Sequence, residues 1–201
     1  MNQIKKLALT LVLLVTTQSY ASAEPKAMLV QAADNIISYL KSNKEAISKD
    51  ESLAIKLVNT ELLPYISQES MARRVLGKHW KSATSEQKKI FIDKFLGLVI
   101  TTYAKGLAQY SGQTFEFEDT EYNTKKNGAR VKSVMNQPEG EPIKIDYLFR
   151  KMKASGEWRV VDVSIEGASM AKTYRNQYAE QINKDGFEVF INKLKNDEIK
   201  M

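Results

Sequence analysis

Cysteine is absent from this chain. No disulfide can staple the fold, so stability has to come from packing. A thiol nucleophile and a cysteine-ligated metal are excluded with it. Histidine occurs once, at His79. One imidazole cannot build a His-rich metal site, and no acidic loop resembles an EF-hand. A nucleophilic triad would have to form around His79. No Gly-x-Ser-x-Gly elbow accompanies it, and in "GKHWKSAT" it reads as a partly exposed polar residue at a helix end. Nor does any glycine-rich loop have the spacing that cradles phosphate. The lysines are scattered and not clustered, which argues against a nucleic-acid partner.

Long apolar runs are also missing, with one short exception. Leu7 to Val15 is broken only by Thr10. A bilayer span needs about 20 apolar residues. Lys5 and Lys6 precede this run and Ala21-Ser22-Ala23 follows it. That order is the pattern of a secretory signal peptide, with cleavage expected after Ala23. No cysteine follows the run to carry a lipoprotein anchor. Residues 1–23 are therefore expected to be a signal peptide, and residues 24–201 one exported, soluble domain. The formal charge of +6 includes Lys5 and Lys6, so removing those two leaves +4. Such a balance fits a surface of mixed charges, and it also suits approach to an anionic membrane surface.

The order of elements predicts an α+β fold. Ala27 to about Lys41 is amphipathic, with Leu29, Ala33, Ile36 and Leu40 on one face. A second helix spans about Glu51 to Leu62, stopped by Pro64. A third runs from Ser67 to near Gly77. "TSEQ" makes Thr84 the N-cap and Gln87 its partner in a capping box, opening a long helix to about Tyr110. Four strands follow: "TFEFED", "ARVKSVM" after the turn signal Asn127-Gly128, "IKIDYLFR", and "EWRVVDVSI". Each alternates, so each has one apolar face. Ser169 to about Lys184 and Phe187 to about Asn196 close the chain as helices separated by Gly186. Helices should pack on one face of a curved four-stranded antiparallel sheet.

One stretch does not fit a surface helix. "FLGLVITTYA", Phe95 to Ala104, holds no charged residue, although 27% of the chain is charged. A helix apolar on most sides must be surrounded. Phe91, Phe95, Leu98, Val99, Thr102 and Tyr103 share one broad face by three-and-four spacing. Such spacing fits a filled core as well as a cavity wall. Asp162, Ser164 and Glu166 alternate along one strand face. They fit either an acid–base pair or, more simply, the solvated rim of a sheet.

Two blocks of sequence carry a resemblance. They are "RRVLGKHWKSATSEQKKIFIDKFLGLVITTYAKGL" and "WRVVDVSIEGASMAKTYRNQY". The first contributes Leu76-Gly77, Trp80, Ala83-Thr84, Gln87, Phe91, Phe95 and Thr102-Tyr103-Ala104. The second contributes Trp158, Val160, Asp162-Val163, Ile165-Glu166-Gly167, Tyr174 and Arg175. Together they resemble the MlaC family, also called the toluene-tolerance family of periplasmic phospholipid-binding proteins. Ala168-Ser169-Met170 departs from the pattern, where a bulkier aliphatic residue would precede the serine.

The resemblance implies a half-cone similar to the nuclear-transport-factor-like fold, with a deep apolar cavity between helices and sheet. It implies a periplasmic shuttle that carries phospholipid between the outer and inner membranes and so maintains outer-membrane lipid asymmetry. Its partners would be a complex of MlaA with a porin at the outer membrane and the MlaFEDB transporter, met through MlaD, at the inner membrane. No cofactor beyond the phospholipid, no metal and no catalytic residue is implied, and a monomer is expected. The cavity walls would be Phe91, Phe95, Leu98, Val99, Thr102 and Tyr103 on the long helix, joined by Tyr174. Val131, Ile145, Tyr147, Phe149, Val161, Val163 and Ile165 would form the strand wall. Leu96 and Ile100 would pack under other helices. A periplasmic enzyme using Asp162 and Glu166, or a chaperone-like adaptor with an exposed groove, are the competing expectations for this fold class.

Overall fold

The structure, a computed structural model, describes residues 23–199. The signal-peptide expectation lies outside the described residues except for Ala23. Helices come first: α1 (Pro25–Ser42), α2 (Lys44–Lys49), α3 (Ser52–Glu61), a 3-10 turn at Leu63–Tyr65, α4 (Gln68–Leu76), α5 (His79–Ser82) and α6 (Ser85–Ala108). Strands follow: β1 (Thr114–Phe117), β2 (Glu121–Tyr122), β3 (Gly128–Asn136), β4 (Ile143–Lys151), β5 (Trp158–Ile165) and β6 (Ala168–Ser169). α7 (Met170–Asp185) and α8 (Phe187–Lys195) end the fold. No helix among the described residues is long and apolar enough to cross a membrane.

The long helix begins where its capping chemistry requires. The Thr84 hydroxyl accepts from the Gln87 N–H at 3.1 Å, and the Gln87 side chain accepts from the Thr84 N–H at 2.9 Å. Both donors would otherwise be orphaned at the helix start. Thr84→Ala is expected to cost about 1 kcal/mol. A lower urea midpoint at unchanged slope would register it. An unshifted midpoint would mean the cap adds nothing to the fold.

The sheet is antiparallel, in the order β1-β3-β4-β5-β6, with β2 also paired to β3. The four expected strands are all present. β2 and β6 add two residues each, too few for alternation to reveal them. The Asn127-Gly128 signal marks a hairpin, but not a two-residue turn. Asn123–Asn127 form the connection, and the positive φ falls on Lys126 at 48°. The Asn123 side-chain oxygen accepts from the N–H groups of Asn127 (3.0 Å) and Gly128 (3.2 Å). A Cβ on Gly128 would stand 3.0 Å from the Asn123 amide nitrogen. The glycine is needed for that close approach, not for its backbone angle.

β4 and β5 slip register between Leu148 and Phe149: Phe149 faces Val160, and Leu148 faces Asp162. Val161 is the extra residue of a β-bulge. The free edge of β5 is covered at one end by Ile66, which bridges to Val160, and at the other by β6.

Packing divides into three clusters instead of one continuous core. Residues of α4 to α8 form a helical cluster around Phe91, Phe95 and Tyr178. Met28 and Leu29 of α1 cover Ala129, Val131, Phe149, Trp158 and Val160 on the sheet. The far half of α1 joins α2, α3 and Ala104 near the end of α6. A domain of this size usually has one contiguous core with small satellites. Here the sheet and the long helix bury their apolar residues in separate clusters.

Candidate functional site

The apolar face of the sheet is only partly covered. In register, Val131, Tyr147 and Val163 form one cross-strand row, and Ser133, Ile145 and Ile165 form the next. Val131 is sealed beneath α1, and Ser133 is buried with its hydroxyl donating to the Ile145 carbonyl at 3.2 Å. Ile145, Tyr147, Val163 and Ile165 are only half-buried. Tyr147 keeps part of its surface open, yet burial pushes its phenol up to about 12, with the Ser133 hydroxyl offsetting part of that rise.

The facing wall is α6. Among the described residues it packs closely on α2, α3, α4 and α8, and on α7 through Phe91 and Phe95, and no strand is among these partners. Helices on either side hold it away from the sheet. The gap opens as a cleft of about 340 Å³ between α6, the start of α7 and the end of β5. Leu98, Thr102 and Tyr103 line it from α6, Met170, Thr173, Tyr174 and Gln177 from α7, and Ile165 and Ala168 from the β5–β6 turn. This volume lies at the small end of the range for ligand pockets, about 300–1,000 Å³. A molecule with two long hydrocarbon tails requires the walls to part further.

The structure distributes the expected wall residues over three places. Leu98, Thr102, Tyr103, Ile165 and Tyr174 meet at the cleft. Ile145 pairs with Ile165 beside the cleft, whereas Tyr147 and Val163, also half-buried, pack against the cluster beneath α1. The remainder are corrections. Phe91, Phe95 and Val99 lie within the helical cluster, with Phe91 and Phe95 fully buried. Both rings meet Tyr178 edge-on, at centroid distances of 5.6 and 6.4 Å. Helical periodicity defines an apolar face but not the neighbour it meets; here that neighbour is α7 and α8. Val131 and Phe149 are closed off by α1. Val161 is displaced by the bulge from the alternation that grouped it with Val163. Leu96 and Ile100 do pack under helices, as expected.

The periodicity of α6 by itself left Met170, Thr173 and Gln177 unseen. Their signal lies in α7, where Met170, Thr173, Tyr174 and Gln177 repeat at three-and-four spacing after the Ser169 cap. Tyr178, one turn beyond Tyr174, was also missed.

Asp162 is not on a solvated rim. It is 5% exposed. Its carboxylate accepts from the Ser169 hydroxyl at 2.7 Å and from the N–H groups of Ala171 at 3.1 Å and Val163 at 3.0 Å. Arg74 approaches it at 3.6 Å. Ser169 in turn caps α7 by accepting from the Lys172 N–H. The Arg175 guanidinium donates to the Arg74 carbonyl at the end of α4. Gly77 comes next with φ 56°, and a Cβ there would stand 3.3 Å from the Arg175 side chain. Asp162, Ser169, Arg175 and Gly77 thus form one knot that ties β5, α4 and α7 together. Glu166 is exposed and accepts from the Lys144 N–H at 2.5 Å, closing the β5–β6 turn onto β4. His79 stacks on Phe187 at 5.4 Å, and burial lowers its pKa, helped by the Lys78 charge. Among the described residues no group of three or more His, Cys, Asp or Glu could hold a metal.

A larger depression, about 630 Å³, lies beside α1 and the β1–β2 connection. It is a wide, open trough, and Glu24, Lys26, Asp34 and Asp119 stand in its lining. Hydrocarbon would gain little there, because water stays in contact with every charged group.

The family model described as MlaC protein matches residues 30–196. The chain belongs to the MlaC family. A relative from Haemophilus influenzae, the intermembrane phospholipid transport system binding protein MlaC, is 32% identical over 90% of this chain and 85% of its own. The toluene tolerance protein ttg2D of Pseudomonas putida is 22% identical over 83% of this chain and 76% of its own. Among solved structures, a phospholipid-binding protein from Ralstonia solanacearum, in complex with a phospholipid, superposes with a TM-score of 0.78. It is 27% identical and covers 87% of this chain and 96% of that one. The two blocks that carried the resemblance fall inside the matched range. In this MlaC-family fold their polar members, Gly77, Asp162 and Arg175, meet in the knot, and Tyr103 and Tyr174 meet at the cleft.

Proposed function

We propose that this protein is a soluble phospholipid carrier, working in the periplasm between the outer and inner membranes. Acyl chains occupy the cleft between α6, α7 and the half-buried face of the sheet, and the headgroup stays in water. The observation that carries this reading is the cleft that α6, α7 and the end of β5 leave open, with Leu98, Tyr103, Ile165, Met170 and Tyr174 in its lining. A chain of this size ordinarily closes such a gap into one core. The names of the Haemophilus and Ralstonia relatives point the same way.

A carrier is needed for a physical reason. Each buried methylene contributes about 0.8 kcal/mol, so a lipid leaves a bilayer slowly unless an apolar cleft replaces its surroundings. Keeping phosphate outside avoids desolvating it without paired donors, and selectivity among headgroups is expected to be weak. The cleft in its present width has to open for loading, so a partner at each membrane is expected to drive loading and release. Family membership supports MlaA with its porin on the outer side and MlaFEDB, through MlaD, on the inner side. It also supports export with removal of residues 1–23, leaving 24–201 as a single monomeric domain.

Native mass spectrometry of protein made in bacteria tests the reading. The expected spectrum contains protein with phospholipid bound. Protein recovered empty, and taking up nothing from liposomes, would overturn it. Recovery with bound peptide instead would favour a chaperone-like role.

A further inference from the structure

Tyrosine is unusually placed along the α6–α7 seam. Tyr103 and Tyr174 line the cleft from opposite helices. Tyr178 lies one turn further along α7, with its ring stacked near that of Tyr174 at a centroid distance of 6.3 Å. It is 1% exposed, and its hydroxyl has no hydrogen-bond partner among the described residues. A buried hydroxyl without a partner is costly, and native structures rarely leave one without a reason. Burial raises the pKa of all three phenols, foremost by desolvation; Tyr174 adds to the rise at Tyr103 and at Tyr178. No hydrogen bond acts against burial at any of the three. They are neutral O–H donors at neutral pH; Tyr103 and Tyr174 stand at the cleft, and Tyr178 lies behind Tyr174 in the helical cluster, reached only when α6 and α7 part.

The chemistry of the remaining lining limits what such donors can meet. Thr102, Thr173 and Gln177 are polar but uncharged, and no cation is among the described residues that line the cleft. Phosphate drawn into it would lose water without gaining a paired charge. An uncharged carbonyl acceptor, attached to hydrocarbon, suits it.

We propose that the hydroxyls of Tyr103, Tyr174 and Tyr178 form the polar subsite of the cleft and donate to the ester carbonyls of a diacyl lipid. This rests on the carrier reading and deepens it. The subsite places the glycerol backbone at the α6–α7 seam, with the tails against the sheet and the headgroup outside. The carrier then recognises ester-linked tails as a class and ignores the headgroup.

The test offers the full-length mature protein equimolar vesicles of diester and diether phosphatidylethanolamine with identical chains. The diether keeps the tails and headgroup but lacks both carbonyls. After re-isolation, native mass spectrometry reads the ratio of the two bound lipids. Wild type is expected to favour the diester about tenfold. In the triple variant Tyr103→Phe, Tyr174→Phe, Tyr178→Phe the ratio is expected to fall to about one, since only the donors are removed. Tyr178→Phe alone removes one orphaned hydroxyl and keeps the ring, so it should fold at least as well as wild type and lower the ratio a few-fold. Tyr110→Phe is the control: that hydroxyl is also buried without a partner, but it packs with α1 to α3, and its loss should leave the preference intact. Equal uptake of both lipids by wild type overturns the subsite and leaves the carrier reading standing. So does a preference that survives in the Phe variants. Uptake of neither lipid overturns the carrier reading and the subsite with it.

Discussion

Protein carrying Val163→Glu is expected to retain less than about a tenth of the phospholipid held by wild type, while keeping its circular dichroism spectrum. Val163 is half-buried at the margin of the cluster beneath α1, paired in register with Tyr147. Because Val163 is only half-buried, an ionised carboxylate there can keep part of its hydration while the cleft is empty, so the cost to folding is smaller than at a sealed position. A hydrocarbon tail laid against it must strip that water, and that cost falls on binding alone. The same cost sets the sign of the pH dependence. Covering the carboxylate with lipid disfavours its charged form and raises its pKa. Retention should therefore recover as pH falls through the raised value and the group becomes neutral. Lipid counted by native mass spectrometry between neutral and mildly acid pH checks both statements. Full lipid loading at neutral pH, or global unfolding of the variant, would place Val163 in a closed core and defeat the open-wall interpretation.

Asp162→Ala is expected to have the largest effect on stability, about 3 kcal/mol of unfolding free energy. The substitution removes the acceptor for the Ser169 hydroxyl and for the Ala171 N–H at the start of α7. Leaving such buried donors unpaired costs about 1–3 kcal/mol each, and the cap adds about 1 kcal/mol. Arg74 contributes less, because its side chain is 36% exposed and water can resolvate it. Asp162→Asn keeps one acceptor oxygen and should lose clearly less. Equal losses in the two variants would assign the effect to the ion pair with Arg74. Urea denaturation separates these outcomes. The folded fraction of Asp162→Ala should transfer lipid normally between liposomes. Failure to transfer while folded would revive Asp162 as a group acting in function.

Local signals made most of the fold legible. The Thr84–Gln87 box, Gly186 and the alternation of four strands each depend on neighbours a few residues apart. The helix borders came from them to within a few residues. α2, α5 and the two-residue strands escaped because they are shorter than the periods that would reveal them. The candidate site was legible only in part. Leu98, Tyr103, Tyr174 and Ile165 do meet at the cleft, but Phe91, Phe95, Val131 and Phe149 are sealed in separate clusters. Spacing says that a face is apolar. It carries no information on whether a helix, a strand or a gap lies opposite.

The identities of residues along the chain by themselves determined the class of fold, the lack of thiol and His-rich metal chemistry, and the membership signalled by the two blocks. Tertiary structure alone decided the rest. It buried Asp162 to hold α7, because Ser169, the start of α7 and Arg74 close over that part of β5. It kept α6 off the sheet, because α3, α4 and α8 bind its other faces more closely than any strand does. Pairwise patterns within one segment are set by backbone periods of two or 3.6 residues. A space between segments is a property of how all of them pack at once.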